Sequence, residues 1–230
     1  MTRSWFITGT DTNVGKTIIT AALAKVLQKH FARVACMKPV ACGASQTHAG
    51  LRNDDALALQ AAANVALPYE TINPYCFEQP IAPHIAAELC GQQIDLERIT
   101  TAYNAICAQA DVVLVEGVGG WQVPLNAQHD TADLACLIDA PVILVVGIRV
   151  GCLNHALLTR AAIARSGLPL AGWVANQIDP DCAFTREIKN YLADNIDAPL
   201  IADVPYLAAH QTNNALDFIH KDSLLCQSFR

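Results

Sequence analysis

No apolar run in these 230 residues approaches the roughly 18–20 needed to cross a bilayer, and the longest, Pro141 to Ile148, has only strand length. Positive charge is also scarce. Lys and Arg number 15 against 21 Asp and Glu, a net charge of −6 with neutral histidines. No broad cationic surface is therefore expected for a nucleic-acid backbone or an anionic membrane. The nine cysteines, at 36, 42, 76, 90, 107, 136, 152, 182 and 226, form no CxxC pair. The seven histidines show neither HExxH nor a Cys/His cluster, which argues against zinc. An odd cysteine count cannot be fully paired within one chain. The start, MTRSWFITGTDT, lacks a basic segment followed by a long apolar one. Together these point to reduced thiols and a cytoplasmic location.

What is present is apolar material, 53% of residues against 16% charged, too much for disorder and suited to a sheet covered on both faces. The length suggests a single α/β domain over 1–230. Strand-length apolar runs alternate with helical patterns, the signature of βαβ units and a mostly parallel sheet. Strands are predicted at Ser4–Thr8, Val34–Pro39, Val112–Glu116, Val142–Gly147, Ala171–Asn176 and Leu200–Asp203. Helices are predicted at Lys16–Gln28, Asp54–Ala63, Leu96–Gln109, Thr131–Ile138, Asn154–Ser166 and Phe184–Ala193. The stretch from Cys42 to Pro83, rich in Gly, Asn and Pro, is expected to be irregular and to face substrate. Ligands of open parallel sheets sit at the carboxyl ends of strands.

The first predicted strand runs into GTDTNVGKT, Gly9 to Thr17, directly before an apolar helix. Loop N–H groups and the helix N-terminus there can cradle a polyphosphate, Lys16 can reach its terminal phosphates, and the Thr17 hydroxyl can ligate Mg²⁺. Five residues separate Gly9 from Gly15, against four in the common motif, so either the loop is longer or Thr10 takes the first glycine's place. DVVLVEGVGG, Asp111 to Gly120, resembles a Walker-B strand, with Glu116 offered to Mg²⁺ and glycines allowing close approach of a ligand. Of six lysines only Lys16 and Lys38 stand at the ligand end of the sheet. Pro39 should stop the strand at Lys38 and leave its ammonium pointing to the phosphate loop.

Other candidates have two readings. Asp54 and Asp55 open a helix, where acids favour the dipole, yet one of them suits a second magnesium carboxylate. Gly151 and Asn154 precede a helix, with Asn154 either an N-cap or part of a carboxylate site. Asn176 and Pro205 end strands, as plain loop residues or as supports for a nucleotide base.

The ordered set GTDTNVGKT, MKPVACG, GLRNDDALALQ, NPYCFEQPIAPH, VLVEGVGGWQVPL, VILVVGIRVGCLNHALLT and LAGWVANQ resembles the dethiobiotin synthetase family from strand one to about Leu207. The resemblance implies a doubly wound, mostly parallel α/β fold of P-loop NTPase type with helices on both faces, assembled as a homodimer. It implies MgATP and CO₂ as co-substrates in closing a ureido ring on the diamine 7,8-diaminononanoate. By motif, Thr12, Asn13, Val14, Gly15, Lys16 and Thr17 would hold ATP with Asp55, Glu116, Gly117 and Gly119, while Asn176 and Pro205 flank adenine. Thr17, Asp55 and Glu116 would ligate Mg²⁺, and Lys16 and Lys38 would bind the reacting phosphate and carbamate oxygens. Thr12 and Cys42 would meet the diamine, and Gly151, Cys152 and Asn154 its carboxylate across the dimer interface.

Two residues depart from the family pattern. Asn13 stands where an acid is common, and Cys42 where a serine is common. A nearby ammonium and Mg²⁺ are expected to lower the Cys42 pKa and favour thiolate. The rival class is a switch ATPase that positions partner proteins. Its extra loop lysine would fall at Asp11, a residue of opposite charge. Another phosphotransferase or amide-forming ligase of the same superfamily is the second alternative.

Overall fold

Strand β1 (Arg3–Gly9) divides its side chains between two cores, with Trp5 and Ile7 facing one and Phe6 the other. The computed structural model describes residues 2–220. The central sheet has six strands, β1 with β2 (Val34–Met37), β7 (Val112–Glu116), β8 (Val142–Ile148), β9 (Leu170–Gln177) and β10 (Leu200–Val204). Their order is β10-β9-β8-β1-β7-β2 and every pairing is parallel. Both faces are buried, which is why the central strands read as unbroken apolar runs such as VVLV and VILVV.

Helices α1 (Lys16–Leu27) and α2 (Asp54–Ala62) cover the face with Trp5, joined by a final 3-10 helix, Ala209–Phe218. The opposite core takes residues from α3 (Tyr69–Ile72), α4 (Pro83–Leu89), α5 (Leu96–Cys107), α6 (Thr131–Ile138), α7 (Cys152–Ser166) and α8 (Thr185–Asn195). Among the described residues no helix is long and apolar enough to cross a membrane. The chain leaves β1 for β2 on one side and later builds outward through β8 on the other. This reversal opens a crevice at the carboxyl ends beside β1, where open α/β sheets bind ligands.

The expected irregular stretch from Cys42 to Pro83 is instead structured. Strand β3 (Val40–Cys42) pairs in parallel with β6 (Tyr75–Phe77), and β4 (Ser45–Thr47) pairs antiparallel with β5 (Gly50–Arg52). Strands of three residues are too short to show a period, so the sequence hides them. The predicted strand at Val34–Pro39 ends at Met37, and the helix expected to begin at Asn154 begins at Cys152. Gly151, at φ +89, is its N-cap, which removes the reading of Asn154 as a cap.

Gly172 on β9 allows β10 to lie close. A Cβ there would sit 2.5 Å from Ile201 Cδ1 and 2.9 Å from the Pro199 oxygen. Gly172→Ala is expected to lower stability by about 1–3 kcal/mol, read as an earlier urea midpoint. An unchanged midpoint would mean that β9 and β10 separate at no cost.

Candidate active site

The loop between β1 and α1 turns on residues suited to its backbone. Asn13 adopts φ 60 and Gly15 φ 89, and asparagine tolerates the left-handed region better than most residues. A Cβ at Gly9 would lie 2.6 Å from Val14 Cγ2 and 3.2 Å from Lys16 Cδ. Gly9 thus keeps the first glycine's job, and the loop is one residue longer. A Cβ at Gly15 would collide with the Asn176 amide, whose nitrogen donates to the Val14 carbonyl at 2.8 Å. Asn176, at the end of β9, therefore braces the loop. Helix α1 has no side-chain cap, so its leading N–H groups are presented to a ligand.

Glu116 ends β7 and is 0% exposed. Its Oε1 accepts from the Thr17 hydroxyl at 2.9 Å and from Lys38 Nζ at 2.5 Å, while Oε2 has no hydrogen-bond partner. The Lys38 ammonium also donates to the Gly117 carbonyl at 3.2 Å and lies 3.4 Å from Asp55 Oδ2. Lys38 is 3% exposed. Burial alone would lower its pKa, but the Glu116 and Asp55 carboxylates outweigh this and hold it above the ordinary lysine value. Lys16 donates to the Asp11 carbonyl at 2.9 Å. Burial first, then repulsion from Lys38, brings its pKa down to about 8 against the pull of Glu116, Asp55 and Asp11.

The structure thus gathers Lys16, Thr17, Lys38, Asp55 and Glu116 into one cluster. A buried carboxylate oxygen without a donor is unfavourable by about 1–3 kcal/mol, and a hard divalent cation would satisfy it. Thr17, Asp55 and Glu116 supply oxygen ligands of the kind Mg²⁺ takes. Asp54 is exposed and has no such contact with Lys38. Both acids still sit in the first turn of α2, so Asp55 also complements the helix dipole.

Around the cluster, Gly119 (φ +62) brings its loop beside Thr12; a Cβ there would lie 3.7 Å from the Thr12 hydroxyl. A Cβ at Gly117 would lie 3.2 Å from the Phe6 ring, so this glycine packs directly on β1's inward side chain. Thr12 and Asn13 are exposed, and Pro205 follows β10, also exposed. Gly151 and Asn154 are exposed at the start of α7, at the same end of the sheet. Cys152 is buried and its N–H closes a turn onto the Arg149 carbonyl, so it presents no thiol to a ligand.

Arg149 was not singled out from the sequence. It follows β8 directly, at the end of the sheet where ligands bind, and that position was the available signal. Its guanidinium donates to Asp11 Oδ2 at 2.8 Å, while Asp11 Oδ1 accepts the Thr12 N–H at 2.8 Å. The pair is half exposed and therefore weak as a stabiliser.

The expectation for Cys42 fails on burial. Desolvation pushes its thiol up to about 11, more than the Lys38 charge lowers it. Only the thiolate reacts with alkylating agents. Its alkylation rate is therefore expected to climb about tenfold per pH unit and still be rising near pH 9. Peptide mapping of the labelled chain reads this rate, and a plateau near neutral pH would show that the lysine dominates.

A family model described as "AAA domain" matches residues 3–214. The ATP-dependent dethiobiotin synthetase of Aromatoleum aromaticum is 50% identical over 206 residues, 90% of this chain and 92% of that protein. Among solved structures, the MinD cell division protein of Aquifex aeolicus aligns with TM-score 0.58 at 15% identity, covering 99% of this chain and 98% of that one. A ParA family ATPase from Chlorobium tepidum aligns at 0.56 with 12% identity, covering 99% and 95%. Those two likenesses concern the fold alone, which is that of P-loop NTPases. With identity at half the positions over nine-tenths of its length, the chain belongs to the dethiobiotin synthetase family.

Proposed function

We propose that this chain uses MgATP and CO₂ to close the ureido ring of dethiobiotin on 7,8-diaminononanoate, with chemistry at the Lys16–Lys38–Glu116 cluster. The observation that carries this reading is the buried Glu116 carboxylate, shared by Thr17 and Lys38 through one oxygen and unpartnered at the other. One substrate amine captures CO₂ as a carbamate, whose oxygen attacks the γ-phosphorus and displaces ADP. The neighbouring amine then attacks the carbonyl of the mixed anhydride, forming the second C–N bond as phosphate leaves with its electron pair. Every intermediate is anionic. Lys16 closes the phosphate loop and Lys38 stands past β2, with β7 between it and β1, so the two ammonium groups face the negative charge as it develops. Bound Mg²⁺, held by Thr17, Asp55 and Glu116, would supply Lewis-acid neutralisation of phosphate oxygens. Thr12 and Cys42 border the diamine, the latter as a neutral thiol and so a weak hydrogen-bond donor. Asn176 and Pro205 lie where adenine would rest.

The diamine's carboxylate is assigned to Gly151 and Asn154 of a second copy. Supporting a two-fold interface on this side, Val150 and Leu158 are 82% and 63% exposed and Leu137 on α6 is also exposed. Such apolar exposure suits an interface. The eight cysteines among the described residues are all free, in keeping with a reducing cytoplasm.

Lys38→Gln is expected to lower turnover by ~10²–10³ while the protein stays folded, with cyclic urea detected by mass. Asp55→Asn should raise the Mg²⁺ requirement far more than Asp54→Asn, and equal effects would remove Asp55 from the ligand set. Mixing a Lys38→Gln chain with an Asn154→Ala chain, each weak alone, should restore activity at one site per heterodimer. A fully active monomer in sedimentation would refute the shared site.

A further inference from the structure

Lys38 stands one residue beyond β2, whose ladder to β7 ends at the pair Met37 and Val115. The sheet therefore does not hold its backbone. Its N–H donates instead to the Ile72 carbonyl at 2.9 Å, and its carbonyl accepts from Asn73 Nδ2 at 2.7 Å. Asn73, the cap ending α3, is 3% exposed and gives its second N–H to the Tyr75 carbonyl at 3.0 Å. Its Oδ1 accepts from the Tyr69 hydroxyl at 3.0 Å, and the Tyr69 oxygen accepts the Asn53 N–H at 2.8 Å. Asn53 in turn caps α2, taking the Ala56 N–H at 3.3 Å and donating to the Cys42 carbonyl at 3.2 Å. Asp55 lies two residues further on.

We propose that Tyr69 and Asn73 are positioning residues, a buried hydrogen-bonded bridge that fixes the Lys38 strand end against the helix turn carrying Asp55. The inference rests on the reading of Lys38 and Asp55 as site residues. Burial raises the Tyr69 phenol above its ordinary pKa, so the hydroxyl stays protonated and can donate to Asn73 while accepting from Asn53. The Arg52 guanidinium, 4.2 Å from the Tyr69 ring centroid, holds the ring in place. The links from the Lys38 carbonyl through Asn73 and Tyr69 to Asn53 are all buried, and they join the end of β2 to the start of α2. A shift of the bridge moves the Asp55 carboxylate relative to the Lys38 ammonium, and with it the spacing available to a cation. Groups that orient metal ligands typically matter by about 10–100-fold in affinity or activity.

Tyr69→Phe keeps the ring and its Arg52 contact and removes only the hydroxyl. In the full-length enzyme it is expected to raise the Mg²⁺ concentration for half-maximal activity by about 10–100-fold. The KM for the diamine should stay near its wild-type value. Mn²⁺ binding to the enzyme with a non-hydrolysable ATP analogue, read from loss of the free-ion electron paramagnetic resonance signal, should weaken to the same degree. Added to Asp55→Asn, Tyr69→Phe should cost little more, because both act on one ligand. Asn73→Ala, which frees the Lys38 carbonyl and leaves Tyr69 in place, must show the same rise and carries the test if Tyr69→Phe fails to fold. If Asp55→Asn weakens Mn²⁺ binding while neither bridge variant does, or if the effects multiply in full, the bridge is only structural. If Asp55→Asn leaves Mn²⁺ binding intact, the Asp55 assignment itself fails, and the bridge falls with it.

Discussion

A carboxylate removed from water must find charge or donors, and Glu116 finds both at the tip of β7. Its environment organises the rest of the site. Lys38 can be buried because Glu116 and Asp55 compensate its charge, and the Thr17 hydroxyl is aimed by the same oxygen that holds the ammonium. A lysine and a glutamate buried without one another would each be strongly unfavourable. Removing either partner therefore acts on the other before it acts on any substrate. The free Oε2 is the one place where this arrangement is incomplete.

The phosphate loop is held with similar economy of contacts. Its entry glycine is fixed by Val14 and Lys16, its exit glycine by Asn176, and the Asn176 amide closes the loop onto the end of β9. The loop is therefore attached to the sheet through side chains as well as through β1. Arg149 adds a further contact from β8 through Asp11. The ends of β8 and β9, on one side of β1, thus set the shape of the anion cradle, which is preorganisation in the sense that matters for charged transition states.

Much of this was legible in the sequence because the signals are chemical and local. A glycine-rich turn before Lys16 and Thr17, an acid ending an apolar strand at Glu116, and a proline stopping a strand after Lys38 each carry a mechanism in their spacing. The six long strands and the helices between them follow from apolar runs that a buried parallel sheet requires. The small sheets of β3 to β6 left no trace, since three residues show no period. Arg149, Asn73 and Tyr69 were missed for a different reason. Their importance lies in partners distant in sequence, and neither an arginine in GIRVG nor an asparagine in TINPY announces a partner. Cys42 was placed by neighbouring charge, whereas its burial proved the stronger influence.

The sheet order carries a consequence for how the chain acquires its shape. β7 lies between β1 and β2, so the loop after β1 that leads to Lys16 and the chain past β2 that carries Lys38 are joined into one site only when a segment more than 70 residues later in the chain than Lys38 inserts between the two strands. Two cationic groups would otherwise have to approach unaided. The strand that closes the gap brings Glu116 at its tip, so the counter-charge arrives with the element that makes the approach necessary. During synthesis the first 110 or so residues therefore hold β1 and β2 without their shared neighbour, exposing strand edges that only the later chain can cover.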